Sequence, residues 1–490
     1  MPDESEQTLR TAWQKGSTQA NANYVRRRIT IDPITRLEGH GKIDIFLDEG
    51  GQVERAYFQV PELRGFEKFV QGRPAEEMPQ ITSRICGVCP TAHHMAATKA
   101  LDHLYQVDPP PAAKKIRELI YTTFIIEDHS LHFYFLGGPD FVVGPEAPAA
   151  ERNVLGVIGK VGVETGKKVI AMRRRLRELI ALAGGKAAHP VFGLPGGVAK
   201  HFTPEMQKQF QEVAAEAVEF AQFTLQLFED VVLKNTDYVQ LILSDIYTHR
   251  TYYMGLVDDD NRVNFYDGWI RVVTPEGKEW KKFRAEQYLE NIAEHVEPWS
   301  YVKFCYLKPV GWKGFTEGVE SGIYSVAPLA RLNVSQGMAT PLAQEAYEKF
   351  FSTLGGKPVH HTLANHWAIL SGRQLCGFHQ HPLDMFVALF GERGAHHLVG
   401  GALFIAAEPA VTDGFPDRRE TRNLSHFQCP GQRGDRADSR NGPKAFDSLG
   451  QQRVPLEGTD QGIFRFLQSH DGVSTHPQQR SDTLIHLFVA

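Results

Sequence analysis

Residues 84–93 read RICGVCPTAH, and this stretch is the most informative part of the chain. Cys86 and Cys89 are two of the five cysteines in 490 residues, and His93 follows four positions after the second. Two thiolates separated by two residues can bind one soft metal ion from a single turn, and Gly87 lets the backbone bend between them. A redox dithiol, half of a structural zinc site and a pair of inert buried cysteines share this spacing, so all remain alternatives here.

The chain before this stretch predicts a small β-sheet. In residues 41–60, apolar residues alternate on both sides of the turn sequence Asp48-Glu49-Gly50-Gly51, which is typical of an antiparallel hairpin. Residues 1–23 are polar and are predicted to form a disordered tail. We therefore expect order to begin at residue 24 and a β-rich region to cover 24–75.

The chain after the cysteines predicts long helices. Thr203-Pro204-Glu205 supplies an N-cap, a proline at the first helical position and an early acid. Apolar residues then recur at steps of three and four over roughly 30 residues, and residues 116–136 contain a similar run. Helices of this length pack as a bundle, so residues 76–370 are predicted to be helical. The predicted fold class is α+β, predominantly α-helical, with a long-helix bundle and a small N-terminal β-sheet.

The composition changes sharply after Leu370. Residues 1–370 contain 21 Lys and 20 Arg, whereas residues 371–490 contain one Lys, 11 Arg and neither Trp nor Tyr. Few runs in this last part would bury a helix or strand face, so it is expected to pack poorly. A disordered extension and a stretch translated in a shifted frame both explain such a change, and we favour the second.

The overall charge excludes some partners. The net charge is −5 with both signs interspersed, which gives no electrostatic surface for nucleic acid or for an anionic membrane. An odd number of cysteines without disulfide-framework spacing is typical of a reducing compartment, so we expect a cytoplasmic location. No export signal and no apolar run of about 18 residues are found, which predicts no membrane span.

Several further motifs, in this order along the chain, resemble the large subunit of nickel-iron hydrogenases. The similar enzymes are of the cytoplasmic type, which includes methyl-viologen-reducing (F420-non-reducing) and F420- or NAD-linked hydrogenases. The resemblance runs from about Ile29 to Ala368. Besides the cysteine motif, its anchors are PITRLEGH (33–40), RGFE (64–67), DHSLHFY (128–134), HP (189–190), PGG (195–197) and APLARLN (327–333).

The resemblance implies a binuclear Ni-Fe centre, held by an early and a late cysteine pair, with CO and cyanide on the iron. Cys86 would be a terminal nickel ligand and Cys89 a thiolate that bridges nickel and iron. Thiolates suit nickel because soft sulfur stabilises its accessible redox states. Glu38 matches the proton-relay carboxylate of the family, although a simple ion pair between Glu38 and Arg36 is the alternative from the residues alone.

Three further residues take roles from the same resemblance. His93 matches a histidine that donates a hydrogen bond to a bridging cysteine sulfur, although a lone helical histidine is more often structural. Asp128 matches an acid that lines the pocket above the metals, and His132 lies one helical turn further on. Glu67 matches a ligand of a magnesium ion remote from the nickel, which is a reasonable use of a carboxylate oxygen.

One part of the family pattern is missing from this sequence. The large subunit of the family carries a second Cys-x-x-Cys near its end, whereas Cys305, Cys376 and Cys429 are isolated from one another. The Ala-Pro-Arg-Gly segment expected between the two pairs is also absent. With two thiolates instead of four, neither the nickel coordination nor the second sulfur bridge can be completed. We therefore expect a hydrogenase lineage with impaired activity in this chain.

Two other functions compete with this hypothesis. One is a non-catalytic structural subunit related to the quinone-site subunit of respiratory complex I, against which the retention of Cys86 and Cys89 argues. The other is a zinc-stabilised helical protein, which metal analysis would identify. If the chain is a hydrogenase large subunit, it has too few cysteines for a cluster relay. Its expected partners are then H2, an electron-acceptor module and an iron-sulfur small subunit.

Overall fold

The structure is a computed structural model that describes residues 27–62 and 65–375, with side chains to residue 370. The predicted tail at 1–23 and residues 376–490 of the anomalous region lie outside the described residues. The helices are α1 Phe66–Phe69, α2 Met78–Thr82, α3 Pro90–Leu104, α4 Pro111–Leu131, α5 Gly138–Val142, α6 Val154–Val161, α7 Val163–Gly184, α8 Pro204–Phe228, α9 Thr236–Ile242, α10 Tyr288–Asn291, α11 Ala327–Val334, α12 Pro341–Thr353 and α13 Asn365–Leu375.

Shorter helical segments connect several of these helices. Two π-helical segments, His132–Gly137 and Glu229–Leu233, continue α4 and α8. Single 3₁₀ turns occupy Ala75–Glu77, Ser83–Ile85, Asp245–Tyr247, Ala285–Gln287 and Thr362–Ala364. The strands are β1 Arg27–Ile31, β2 Lys42–Leu47, β3 Val53–Gln59, β4 Gly193–Leu194, β5 Gly197–Val198, β6 Tyr252–Val257, β7 Trp269–Val273, β8 Glu279–Phe283, β9 Ile292–Val296, β10 Lys303–Leu307 and β11 Tyr324–Ser325.

The N-terminal sheet forms as its sequence predicts. Strands β1, β2 and β3 pair antiparallel in this order, and the hairpin between β2 and β3 turns at 48–52. The alternating apolar side chains of β2 lie on one face, where Ile43, Ile45 and Leu47 pack with Ile34 in a small core. The sheet therefore has its own hydrophobic core, separate from that of the helices.

The long helices pack together around the main core. Helix α8 begins at the predicted N-cap, where the hydroxyl of Thr203 accepts a hydrogen bond from the amide of Met206 at 3.2 Å. Helix α4 packs on α7, α7 packs on α8, and α13 packs on α8, α11 and α12. The buried face of α8 consists of Met206, Phe210, Val213, Ala214, Ala217, Phe220, Ala221, Thr224 and Phe228.

The prediction that residues 76–370 are helical was wrong for one region. Six strands lie between Tyr252 and Ser325, and four of them form a sheet in the order β11-β6-β7-β8. The sheet packs on α11, and its close approach depends on Gly255, because a Cβ at that position would meet Val334 Cγ2 at 2.7 Å. Aromatic and β-branched residues dominate β6 and β7, and they favour strands whose side chains are covered by a helix.

A buried arginine connects the helices to the β4–β5 hairpin. The guanidinium of Arg117 on α4 is 1% exposed and pairs with Asp102 of α3 at 2.5 Å. It also donates hydrogen bonds to the carbonyl oxygens of Leu194 and Gly197. All of these acceptors would lose their donor if the guanidinium were removed.

We expect Arg117→Met to lower the free energy of unfolding by about 3–5 kcal/mol, because it leaves a buried carboxylate without its cation. Urea unfolding followed by circular dichroism measures this loss. The matched control is Arg174→Ala, which removes an exposed pair with Glu178 on α7 and should cost less than about 1 kcal/mol. Equal losses in the two variants would contradict the structural role of Arg117.

Candidate metal centre

The two cysteines meet in a turn between a 3₁₀ segment and α3. Cys86 has an extended backbone, Cys89 is the N-cap residue of α3, and the amide of Cys89 donates to Cys86 Sγ at 3.0 Å. The sulfur atoms are joined as a disulfide, with the Cα atoms 5.4 Å apart. A redox dithiol and a shared metal both require this proximity. Gly87 does not have a left-handed φ, so its predicted role in bending the backbone is not required by this turn.

His93 completes a group of possible metal ligands. Ligand atoms of Cys86, Cys89 and His93 all lie within 4.8 Å of one another, and among the described residues this is the group of three or more that could hold an ion. Partial burial lowers the pKa of His93, which favours the neutral imidazole. A neutral imidazole can either bind a metal or donate a hydrogen bond to a sulfur.

Glu38 lies beside the cysteine turn. Its Oε1 atom is 3.6 Å from Cys86 Sγ, a distance at which a thiol proton can be shared with the carboxylate. The alternative ion pair with Arg36 does not form, because the guanidinium of Arg36 binds Asp140 at 2.7 Å and the carbonyl oxygen of Leu136 at 2.5 Å. Glu38 is exposed to solvent, so a proton on its carboxylate can exchange with water.

Asp128 lies in the last turn of α4 within a group of charged side chains. Burial raises the pKa of Asp128 to about 7, and the negative charges of Glu127 and Glu38 act in the same direction. The cations of Arg173 and Arg331 oppose this shift, and Arg173 also pairs directly with Glu127 at 2.6 Å. A carboxyl group with this pKa can exchange a proton near neutral pH.

His132 begins the π-helical segment that follows Asp128. Its Nε2 atom is 3.4 Å from Nδ1 of His366 on α13, and the two rings stack with centroids 5.4 Å apart. A Cβ at Gly137 would meet His366 Nδ1 at 2.4 Å, so glycine is needed for this contact. Burial lowers the pKa of His132 to about 4.

We expect His132 to make the fold sensitive to acid. An unfolded histidine has a pKa of about 6.5, so below that pH the unfolded chain takes up a proton that the folded chain refuses until about pH 4. Stability is therefore present above pH 6.5 and falls on acidification, by up to about 3 kcal/mol from this residue. The variant His132→Asn should flatten the slope of unfolding free energy against pH. The control is His40→Asn, since His40 is exposed, and an unchanged slope in His132→Asn would contradict the prediction.

Glu67 contacts a cation of the protein itself. Its Oε1 atom pairs with Lys303 Nζ at 2.9 Å, and the same ammonium pairs with Glu294 at 3.1 Å. Glu67 is about half exposed, so this pair is open to solvent. A divalent ion at Glu67 would have to replace this ammonium, and the magnesium role stays a prediction.

Two histidines next to the cysteine turn were not assigned roles from the sequence. His94, on the buried side of α3, bonds to backbone groups at Pro79, Phe192 and Gly193. His189 bonds to the carbonyl oxygen of Ser83. The only sequence signal for these contacts is the presence of histidine and of a Pro-Gly-Gly turn, neither of which names a partner.

No helix among the described residues is both long enough and apolar enough to cross a membrane.

Comparison with known proteins connects this geometry to one family. A family described as nickel-dependent hydrogenase matches residues 64–154, and a HoxL-like family matches residues 28–63. The chain is 50% identical over 342 residues to the iron-sulfur subunit of an F420-non-reducing hydrogenase of Archaeoglobus profundus, with 70% of each chain covered. It is 36% identical over 354 residues to the NAD-reducing hydrogenase HoxS subunit beta of Cupriavidus necator, again with 70% of each covered.

Solved structures agree with the sequence comparison. An NAD+-reducing [NiFe]-hydrogenase in the H2-reduced state matches with a TM-score of 0.67 and 33% identity, covering 74% of this chain and 79% of that one. The Ni-Fe-Se hydrogenase of Desulfovibrio vulgaris Hildenborough matches with a TM-score of 0.58 at 23% identity, which supports the fold alone. The predicted α+β fold class is confirmed, and the complex I and zinc alternatives are not favoured. This chain belongs to the nickel-dependent hydrogenase family, among its large subunits.

Proposed function

We propose that this chain contributes half of a nickel-iron site at which H2 is cleaved heterolytically and reversibly. The observation that best supports this proposal is the convergence of ligand atoms from Cys86, Cys89 and His93 within 4.8 Å, with Glu38 beside them. Two thiolates and an imidazole suit a soft, redox-active metal. These residues therefore fit the part of a Ni-Fe centre that one cysteine pair can hold.

When bound, a Ni-Fe centre with CO and cyanide on the iron supplies the Lewis acidity and redox capacity that separate H2 into protons and electrons. In our proposal Cys86 is the terminal nickel ligand and Cys89 the bridging one. The Cys86 sulfur accepts the first proton, and Glu38 takes it over, as its 3.6 Å distance from that sulfur allows. Solvent around Glu38 then receives the proton.

The neighbouring residues adjust this half-site. We assign His93 the hydrogen bond to the bridging sulfur, which its position in the first turn of α3 supports. Asp128 lines the pocket, where its raised pKa makes it a second group able to hold a proton. Glu67 binding to magnesium belongs to the same proposal.

Electrons must leave through another polypeptide. After Cys86 and Cys89, three of the five cysteines remain, which is fewer than the four that an iron-sulfur cluster usually takes. We therefore propose that the direct partner is an iron-sulfur small subunit, with an electron-acceptor module beyond it. The cytoplasmic location stays a prediction from composition.

The 490-residue chain should turn over poorly. It carries two of the four thiolates that the family uses, and the isolated cysteines Cys305, Cys376 and Cys429 do not form a second pair. Half of the sulfur ligands cannot hold both metals firmly, since metal affinity depends on the complete ligand set.

Metal analysis of the chain copurified with its iron-sulfur partner tests the proposal. We expect nickel well below one per chain and slow H2-dependent reduction of viologen, both abolished by Cys86→Ser. Stoichiometric nickel with fast turnover would contradict the predicted impairment. Bound zinc without any nickel would contradict the hydrogenase site itself.

A further inference from the structure

The segment 189–198 contacts both sides of the cysteine turn. It contains the HP and PGG motifs, which the hydrogenase hypothesis leaves without a role, and it folds into the β4–β5 hairpin. We refer to residues 189–198 as the Pro-Gly hairpin. One of its contacts lies before Cys86 in sequence and another lies after Cys89, so the hairpin borders the turn from two directions.

The contact before Cys86 is made by His189. Its Nδ1 atom lies 2.9 Å from the carbonyl oxygen of Ser83, which requires the proton to be on Nδ1. Ser83 is fully buried and precedes Cys86 by three residues. The backbone that enters the cysteine turn is thereby fixed to the Pro-Gly hairpin.

The contact after Cys89 is made by His94, which is 1% exposed. Its Nε2 atom accepts hydrogen bonds from the amides of Phe192 at 3.2 Å and Gly193 at 2.9 Å. Because Nε2 accepts, Nδ1 carries the proton and donates to the carbonyl oxygen of Pro79 at 3.1 Å. One imidazole thus joins α2, α3 and the hairpin through three backbone groups.

The same face of α3 continues this contact. Thr98 and Asp102 follow His94 at intervals of four residues and therefore share its helix face. A Cβ at Gly193 would meet the Thr98 side chain at 2.7 Å, so only glycine permits this approach. Asp102 accepts a hydrogen bond from the amide of Gly196 at 2.7 Å. The hairpin therefore lies along two turns of the helix whose N-cap is Cys89.

We propose that His94 and His189 are positioning residues that hold Cys86 and Cys89 at the separation needed to share a metal, with the Pro-Gly hairpin as their rigid support. The metal in this statement rests on the proposed function, whereas the spacing of the two sulfurs can be measured without it. Neither histidine touches a sulfur in this role. Both act on the backbone that carries the cysteines.

The experiment measures how strongly the folded chain favours closure of the two thiols. The purified metal-free chain is equilibrated with glutathione, so that the dithiol and oxidised glutathione give the Cys86–Cys89 disulfide and two reduced glutathiones. Trypsin releases residues 85–99 as one peptide that holds both cysteines, and its oxidised fraction is read by mass spectrometry. Nickel(II) titration, followed by the thiolate-to-nickel charge-transfer absorption, gives a second readout.

The variants separate positioning from general stability. His94→Ala removes all three bonds, and His94→Gln restores an acceptor for the two amides. His189→Ala removes one bond and is the milder test if His94→Ala does not fold. The matched control is Asn333→Ala, which removes a buried side chain that makes two hydrogen bonds to the backbone of Val359, on α11.

We expect His94→Ala to lower the closure constant about tenfold, equivalent to about 30 mV for this two-electron couple. His189→Ala should lower it about threefold, His94→Gln should recover most of the loss, and Asn333→Ala should stay within twofold. Equal effects in His94→Ala and Asn333→Ala, or no effect of either histidine variant, would overturn the proposal. If the closure constant falls as expected but no variant binds nickel, the positioning role stands and the proposed function fails.

Discussion

Replacing residues 371–490 with the C-terminal segment of an F420-non-reducing hydrogenase relative, which carries the second Cys-x-x-Cys of the family, is expected to bring nickel to stoichiometric content. H2-dependent viologen reduction should appear with it. The physical reason is the number of thiolates, because two more sulfurs complete the nickel coordination and the second bridge. Loss of outer-shell partners alone reduces metal affinity about 10–100-fold, so two missing direct ligands should cost at least that much.

The junction after Leu370 suits this exchange. Trp367, Ala368, Ile369 and Leu370 are all buried in the main core, so the replacement leaves the described core unchanged. Inductively coupled plasma analysis measures the nickel, and the viologen assay measures turnover with the iron-sulfur partner present. The control is the same chimera with Cys86→Ser. If the chimera folds but binds no more nickel than the 490-residue chain, the assignment of Cys86 and Cys89 to a Ni-Fe site fails.

Glu38→Gln in this chimera should slow H2 turnover by about 10²–10⁴-fold, the usual contribution of a positioned general acid or base. Glutamine keeps the size of the side chain but cannot carry the proton away from Cys86. Nickel content should not change, because Glu38 is not proposed as a ligand. Exchange between D2 and water should fall together with viologen reduction, since both need proton transfer from the site.

A neighbouring carboxylate provides the control for Glu38. Glu62 is about half exposed and contacts His40 Nδ1 at 2.5 Å, outside the proposed proton route. We expect Glu62→Gln to leave turnover unchanged and Glu38→Asp to retain part of the activity. Full activity in Glu38→Gln would show that the proton leaves Cys86 by another route.

The regular elements could be predicted where the sequence pattern is local. The β2–β3 hairpin and α8 follow from alternation, turn residues and an N-cap, which act over a few neighbouring positions. The sheet at 252–325 was missed because helical periodicity on both sides was extended across it. Its strands are stabilised by packing on α11, which is a long-range contact.

The candidate site was only partly predictable for the same reason. The spacing of Cys86, Cys89 and His93 within one turn and the start of a helix brings their ligand atoms together without help from the rest of the chain. The partner of Arg36 is Asp140, which lies 104 residues away, and no local pattern distinguishes it from Glu38. Likewise, the ammonium that pairs with Glu67 comes from Lys303, on a strand far along the chain.

The sequence by itself therefore determined the family, the cysteine half-site and the absence of a second Cys-x-x-Cys, because residue identity and short spacing are properties of the covalent chain. Only the tertiary structure decided that Glu38 faces Cys86 and that His94 and His189 attach the cysteine turn to the Pro-Gly hairpin. These contacts join segments about 50–100 residues apart. Such segments meet only when the helices and sheets bury their apolar faces together, so their partners are fixed by packing and not by spacing.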